Sequence, residues 1–97
     1  MNRIVTTEDV LGGEPRIEGR RISVLHIYER VEGRGLKPRT VAARHGLDVA
    51  DVYRALAYYH ENPDEIRAVQ QRRKEIIEKS RESALTPGDA DRPATAR

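Results

Sequence analysis

Three histidines, His26, His45 and His60, are the first side chains to test for acid–base or metal chemistry. Their spacing contains neither H-x-x-x-H nor H-E-x-x-H, and none sits beside a carboxylate at metal-ligand spacing. His60-Glu61 reads as a solvated helix end. The absence of cysteine excludes disulfides, thiol catalysis and every cysteine-based zinc or iron–sulfur site. Gly33-Arg34-Gly35 is no phosphate loop, because no strand precedes it and no G-K-[ST] follows. No nucleophile–base pair can be assembled. The chain is read as a non-enzyme with no catalytic residue, no metal ligand and no cofactor.

Arginine is the remaining chemistry. Fifteen arginines against three lysines suit bidentate phosphate or carboxylate contacts, although GC-rich codon usage produces the same skew. The net charge of +2 is only a weak pointer to nucleic acid. The stretch from Pro38 to Tyr58 has the parts of a helix-turn-helix: small Ala42 at the crossing, Gly46 in the turn, and Val41, Leu47 and Val52 facing inward. On its third helix Asp48, Ala50, Asp51, Arg54 and Ala57 are expected outward. Arg54 is the residue placed to read a guanine. Two acids on that face oppose a phosphate backbone. Added positive charge is expected from Arg20 and Arg21 on a wing-like hairpin, and from Arg39 and Arg44. A plain scaffold with solvated arginines accounts for the same residues.

These side chains need elements to hold them. The fold is expected to be mainly α, with a small N-terminal β hairpin, a tri-helical helix-turn-helix core and a longer polar C-terminal helix. Ile4 and Val5 begin an extended segment, and Gly12-Gly13-Glu14-Pro15 forces a turn. Ile17 and Ile22 flank a hairpin bend near Glu18-Gly19. Ser23 caps a first helix carrying Val24, Ile27, Tyr28 and Val31, which Gly33 and Gly35 stop. Pro38 opens a short second helix that ends near His45-Gly46. Asp48, with Asp51 three residues later, caps a third helix whose inner stripe is Val49, Val52, Tyr53, Leu56 and Tyr59. Those tyrosines and Tyr28 are assigned to packing, and Tyr58 is expected to be exposed.

Asn62-Pro63-Asp64-Glu65 opens a fourth helix reaching about Glu82. Its apolar residues are few, so it needs a partner or stays partly frayed. The resulting plan is a hairpin plus helix-turn-helix domain over 1–62, a partner-binding helix over 63–82 and a disordered tail over 83–97. The core is small, and the apolar edge at Ile4-Val5 suggests a homodimer. No apolar run approaches a membrane span and no signal-peptide pattern is present, so a cytoplasmic protein with no membrane partner is expected.

The segment GGEPRIEGRRISV, residues 12–24, resembles the signature of domain-of-unknown-function family 433, a glycine-glycine-x-proline turn leading to an isoleucine-x-glycine-x-arginine-isoleucine hairpin. VAARHGLDVADVYRALAYY, residues 41–59, is similar to that family's helical half. The likeness covers about residues 4–60. Arg20 stands where the family commonly has threonine, which adds charge without disturbing the pattern. The resemblance implies a dimeric, antitoxin-like helix-turn-helix protein encoded beside a PIN-like ribonuclease toxin and binding its own double-stranded operator DNA. Such nucleases hold a metal among clustered carboxylates. The fourth helix would then be the neutralising segment, with Arg72 or Arg73 entering the acidic site and Ile66, Val69, Ile76 and Ile77 seating the helix. An adaptor on the same scaffold that never touches DNA is the alternative.

Overall fold

Pro15, Arg16 and Ile17 form the middle of a narrow N-terminal sheet. In the computed structural model, which describes residues 3–84, strand β1 (Ile4–Val5) pairs antiparallel with β2 (Arg16–Ile17), Ile4 opposite Ile17 and Val5 opposite Arg16. The other side of β2 meets the returning chain: the Ile17 N–H donates to the Ile22 carbonyl at 3.0 Å, and Arg16 bridges Ser23. The bend between them is tight. The Arg20 N–H donates to the Ile17 carbonyl at 3.0 Å, and Gly19 has φ 80°, the conformation that a type II turn requires at its third position. The expected bend at Glu18-Gly19 is therefore present. The regular partner of β2 is nevertheless Ile4–Val5, because Ser23 must leave the ladder to start a helix.

The link from β1 to β2 contains a short left-handed turn over Leu11–Gly13, with φ of 52°, 64° and 83° at successive residues. The Gly12-Gly13 pair makes that path accessible, since only glycine enters the left-handed region without a Cβ clash.

Ser23 caps α1 (Val24–Tyr28): its Oγ accepts from the His26 N–H at 3.0 Å. The helix then widens over Glu29–Gly33, where the Arg34 N–H reaches back five residues to the Glu29 carbonyl at 2.9 Å. Pro38 stands at the first position of α2 (Pro38–His45), and Gly46, with φ 64°, ends it. The Leu47 N–H returns to the Ala42 carbonyl at 2.9 Å, closing the helix C-terminus. Asp48 precedes α3 (Val49–Glu61) and accepts the Asp51 N–H through its backbone carbonyl, but its side chain makes no cap bond. The half of the expected cap that the Asp48 side chain would supply is therefore missing, and the Asp51 carboxylate is buried.

Helices α1 and α2 both pack on α3. Up to residue 66 the buried apolar set is Ile17 from the hairpin, Val24, Leu25 and Ile27 from α1, Val41 and Ala42 from α2, and Val52 and Ala55 from α3, with Ile66 near the start of the last helix. Each of the larger members contributes about 1.5–3 kcal/mol by leaving water. The inner stripe of α3 differs from the sequence expectation. Val49 and Tyr53 are exposed, Tyr53 to 57%, while Asp51 and Ala55 are buried. The helix is rotated so that small Ala55 lies inside, where a larger residue would hold neighbouring helices apart.

Helix α4 spans Pro63–Ala84. The chain divides into two units, Met1–Ile66 and Arg67–Arg97, so the boundary falls inside α4, just beyond the expected break at residue 62. Within the second unit, every residue from 70 to 82 is exposed. The tail expected over 83–97 lies outside the described residues, except for Ser83 and Ala84, which α4 includes.

Candidate macromolecule-binding surfaces

The arginines proposed for DNA divide into two groups. Arg20 is a bracket between the hairpin and the helix-turn-helix: its Nη2 donates to the His45 carbonyl at 3.1 Å and also to the Gly46 carbonyl. These are carbonyls that the end of α2 leaves without helical partners. Arg54 is engaged as well, donating from Nη1 to the Asp51 Oδ1 at 2.8 Å. The Asp51 side chain is only 4% exposed against 30% for Arg54, so the pair satisfies an acid placed in the core. Arg21, Arg39 and Arg44 are exposed. They are the members of the expected DNA set whose side chains lie open to solvent.

The outward side of α3 consequently differs in chemistry from a phosphate-binding surface. Val49, Ala50, Tyr53 and Ala57 occupy it, spaced to share one face of the helix, and it presents no lysine or arginine. Asp48 lies at its start and His60 and Glu61 at its end, all exposed.

Three polar clusters surround this core. Glu29 binds both Arg30, at 2.5 Å, and Arg34, at 3.1 Å. Desolvation pushes the Glu29 carboxyl up, and the Arg34 hydrogen bond and the two guanidinium charges more than reverse it, leaving the pKa below the usual value. His60 Nε2 lies 2.8 Å from Glu32 Oε2, edge-on to the stacked rings of Tyr28 and Tyr59, whose centroids are 3.7 Å apart. His26 and His45 meet with Nε2 atoms 3.4 Å apart. Burial, then the charges of Arg30 and His45, hold the His26 imidazole below its ordinary pKa. Sequence spacing had no means of pairing these histidines, because their approach is made by the packing of separate helices.

Tyr58, expected to be exposed, is half-buried and donates its hydroxyl to Glu65. Burial, the Glu65 hydrogen bond and the Glu65 charge push its pKa up to about 12. On α4, Ile66 and Val69 are buried at 3% and 2% exposure, so they do not offer a seat to a partner. Ile76 and Ile77 are 59% and 53% exposed, and Arg72 and Arg73 precede them on the same exposed stretch.

A glycine-turned β hairpin bracketed by arginine onto a tri-helical helix-turn-helix core defines a small helix-turn-helix class of protein, with no group of three or more metal-ligating side chains among its described residues. Within that class the chain belongs to the family described as "Protein of unknown function (DUF433)", whose model matches residues 4–59. That span runs from the first strand almost to the end of α3. No curated relative and no solved structure matches the chain. No helix among the described residues is long and apolar enough to cross a membrane.

Proposed function

We propose that this protein is an antitoxin-like helix-turn-helix protein that neutralises a PIN-like ribonuclease through the exposed stretch of α4, and that its homodimer binds operator DNA. The observation that carries the first half is the pair Ile76 and Ile77, more than half exposed beside Arg72 and Arg73. An exposed apolar pair flanked by arginines suits an acidic protein surface, where the isoleucines are covered and a guanidinium fork meets carboxylates. The DNA half falls to Arg21, Arg39 and Arg44, since Arg20 and Arg54 already have structural partners.

The test uses the full chain with Ile76→Ser/Ile77→Ser and, separately, Arg72→Glu/Arg73→Glu. Both variants are expected to melt like the parent protein and to lose inhibition of the nuclease encoded beside the gene. Inhibition at the parent molar ratio by both variants would place the neutralising surface elsewhere.

The adaptor reading is favoured by the outer face of α3, where Val49, Ala50, Tyr53 and Ala57 stand open while Arg54, the residue expected to read a base, is paired with Asp51. A mobility-shift assay on the upstream intergenic DNA at low salt separates the two readings. Retardation that weakens in Arg21→Ala and Arg44→Ala, with the salt slope falling by about 1 for each phosphate no longer neutralised, supports operator binding. No retardation at low salt selects the adaptor.

A further inference from the structure

His26 and His45 come from different helices, and their mutual geometry fits poorly to a simple hydrogen bond. Their Nε2 atoms are 3.4 Å apart, long for an N–H···N contact. The ring centroids are 5.1 Å apart with planes at 81°. Each imidazole nitrogen lies about 1.15 Å from its ring centre, so a straight hydrogen bond across this gap would put the centroids about 5.7 Å apart. The shorter observed separation means that the ring nitrogens do not both point along the line joining them, so the contact is not a straight hydrogen bond.

Two imidazoles that share a metal ion stand at these same separations. An ion about 2.0–2.1 Å from each nitrogen, with a tetrahedral angle between them, separates the nitrogens by about 3.3–3.4 Å. The same ion puts the ring centres about 5.1–5.3 Å apart. Both separations agree with this pair. We propose that His26 and His45 form a two-imidazole site for a borderline divalent transition-metal ion such as zinc, nickel or copper(II), tying α1 to the end of α2.

The ligand set defines the chemistry. Imidazole selects these ions over magnesium and calcium, which require oxygen ligands. No third histidine, cysteine or carboxylate joins the two rings among the described residues, so water completes the coordination. Arg30 and Arg34 lie on the turn after α1 and oppose a cation, but Glu29 binds both guanidiniums and offsets part of their field. His45 is the last residue of α2, and Arg20 brackets its carbonyl, so an ion here would fix the same helix end that the hairpin holds.

The experiment is calorimetric titration of the untagged full-length protein with nickel or zinc at pH 7.5. One ion per chain is expected, with affinity falling at least tenfold in His26→Gln and in His45→Gln and unchanged in His60→Gln. Absence of binding, or affinity retained in either of the first two variants, overturns the site. A second measurement needs no variant. Substoichiometric copper(II) is expected to broaden the imidazole proton resonances of His26 and His45 in the parent protein while sparing His60. Broadening centred on His60, or spread evenly over all three rings, overturns the proposal.

Discussion

At the scale of single residues, the contact between Arg20 and the end of α2 decides how the hairpin is attached. Gly46 has φ 64°, and a Cβ added there would lie 3.2 Å from the Arg20 Nη2. A Gly46→Ala substitution meets both the left-handed backbone and the guanidinium, and is expected to cost at least about 1–2 kcal/mol. Arg20→Ala removes a charged donor from two carbonyls and is expected to cost about 1–3 kcal/mol, read as an earlier midpoint in urea unfolding. If Arg20→Ala unfolds with the parent midpoint, the bracket adds nothing to stability. Tyr58 supplies the pH prediction. Its folded pKa is raised to about 12, whereas an unfolded tyrosine titrates near ~10. Above the unfolded value the native state holds the proton that the unfolded chain releases, so stability is full below about pH 10 and declines as the pH rises towards 12. Tyr58→Phe is expected to flatten that alkaline decline in unfolding midpoints measured from pH 8.5 to 11.

At the scale of elements, α3 shows why an apolar stripe leaves a helix's rotation undecided. Two lines of small and apolar residues run along it: Val49, Tyr53 and Leu56 on one, Val52, Ala55 and Tyr59 on the other. Close packing selects the second, with Val52 and Ala55 fully buried. The choice carries Asp51 inside, where Arg54 neutralises it. Tyr53→Ser is therefore expected to change stability by less than about 0.5 kcal/mol. Ala55→Leu is expected to cost about 1–3 kcal/mol by overfilling the contact. Arg54→Ala leaves a buried carboxylate without this partner and is expected to lower the melting temperature whether or not DNA is present. A loss of DNA binding in that variant therefore counts as loss of base reading only after its fold has been checked.

At the scale of the whole molecule, burial ends along α4. From residue 70 to residue 82 every side chain is exposed. A helix with no buried face has only its own hydrogen bonds and side-chain pairs for stability, and these are marginal at such lengths. Amide hydrogen exchange is expected to be fast over residues 70–82 and slow in the buried turns of α3, around Val52 and Ala55. If the proposed nuclease partner docks on that stretch, its addition is expected to slow exchange over residues 70–82. Uniform protection along both helices in the isolated protein would contradict the first expectation.

Much of the architecture was legible in the chain because it rests on local rules. Ser23 as a cap, Pro38 at a helix start, Gly46 at a helix end and Gly19 at a bend each answer to backbone sterics within a few residues. The segment over residues 12–24, inside the span that the family model matches, reflects the same constraints, because its glycines and proline are what the left-handed turn and the bend demand. The site chemistry was less legible. Arg20 and Arg54 read as free cations in sequence, yet one closes a helix end 26 residues away and the other neutralises a buried acid. His26 and His45 showed no motif, because their spacing in sequence matches none and only the packing of α1 and α2 on α3 brings the rings together. Local propensity set where the helices begin and end. Which faces turn inward, and hence which charges remain open to a partner, was decided only when Ala55 and Ala42 allowed three helices to close on one another, since burial is a property of neighbours that no short stretch of chain contains.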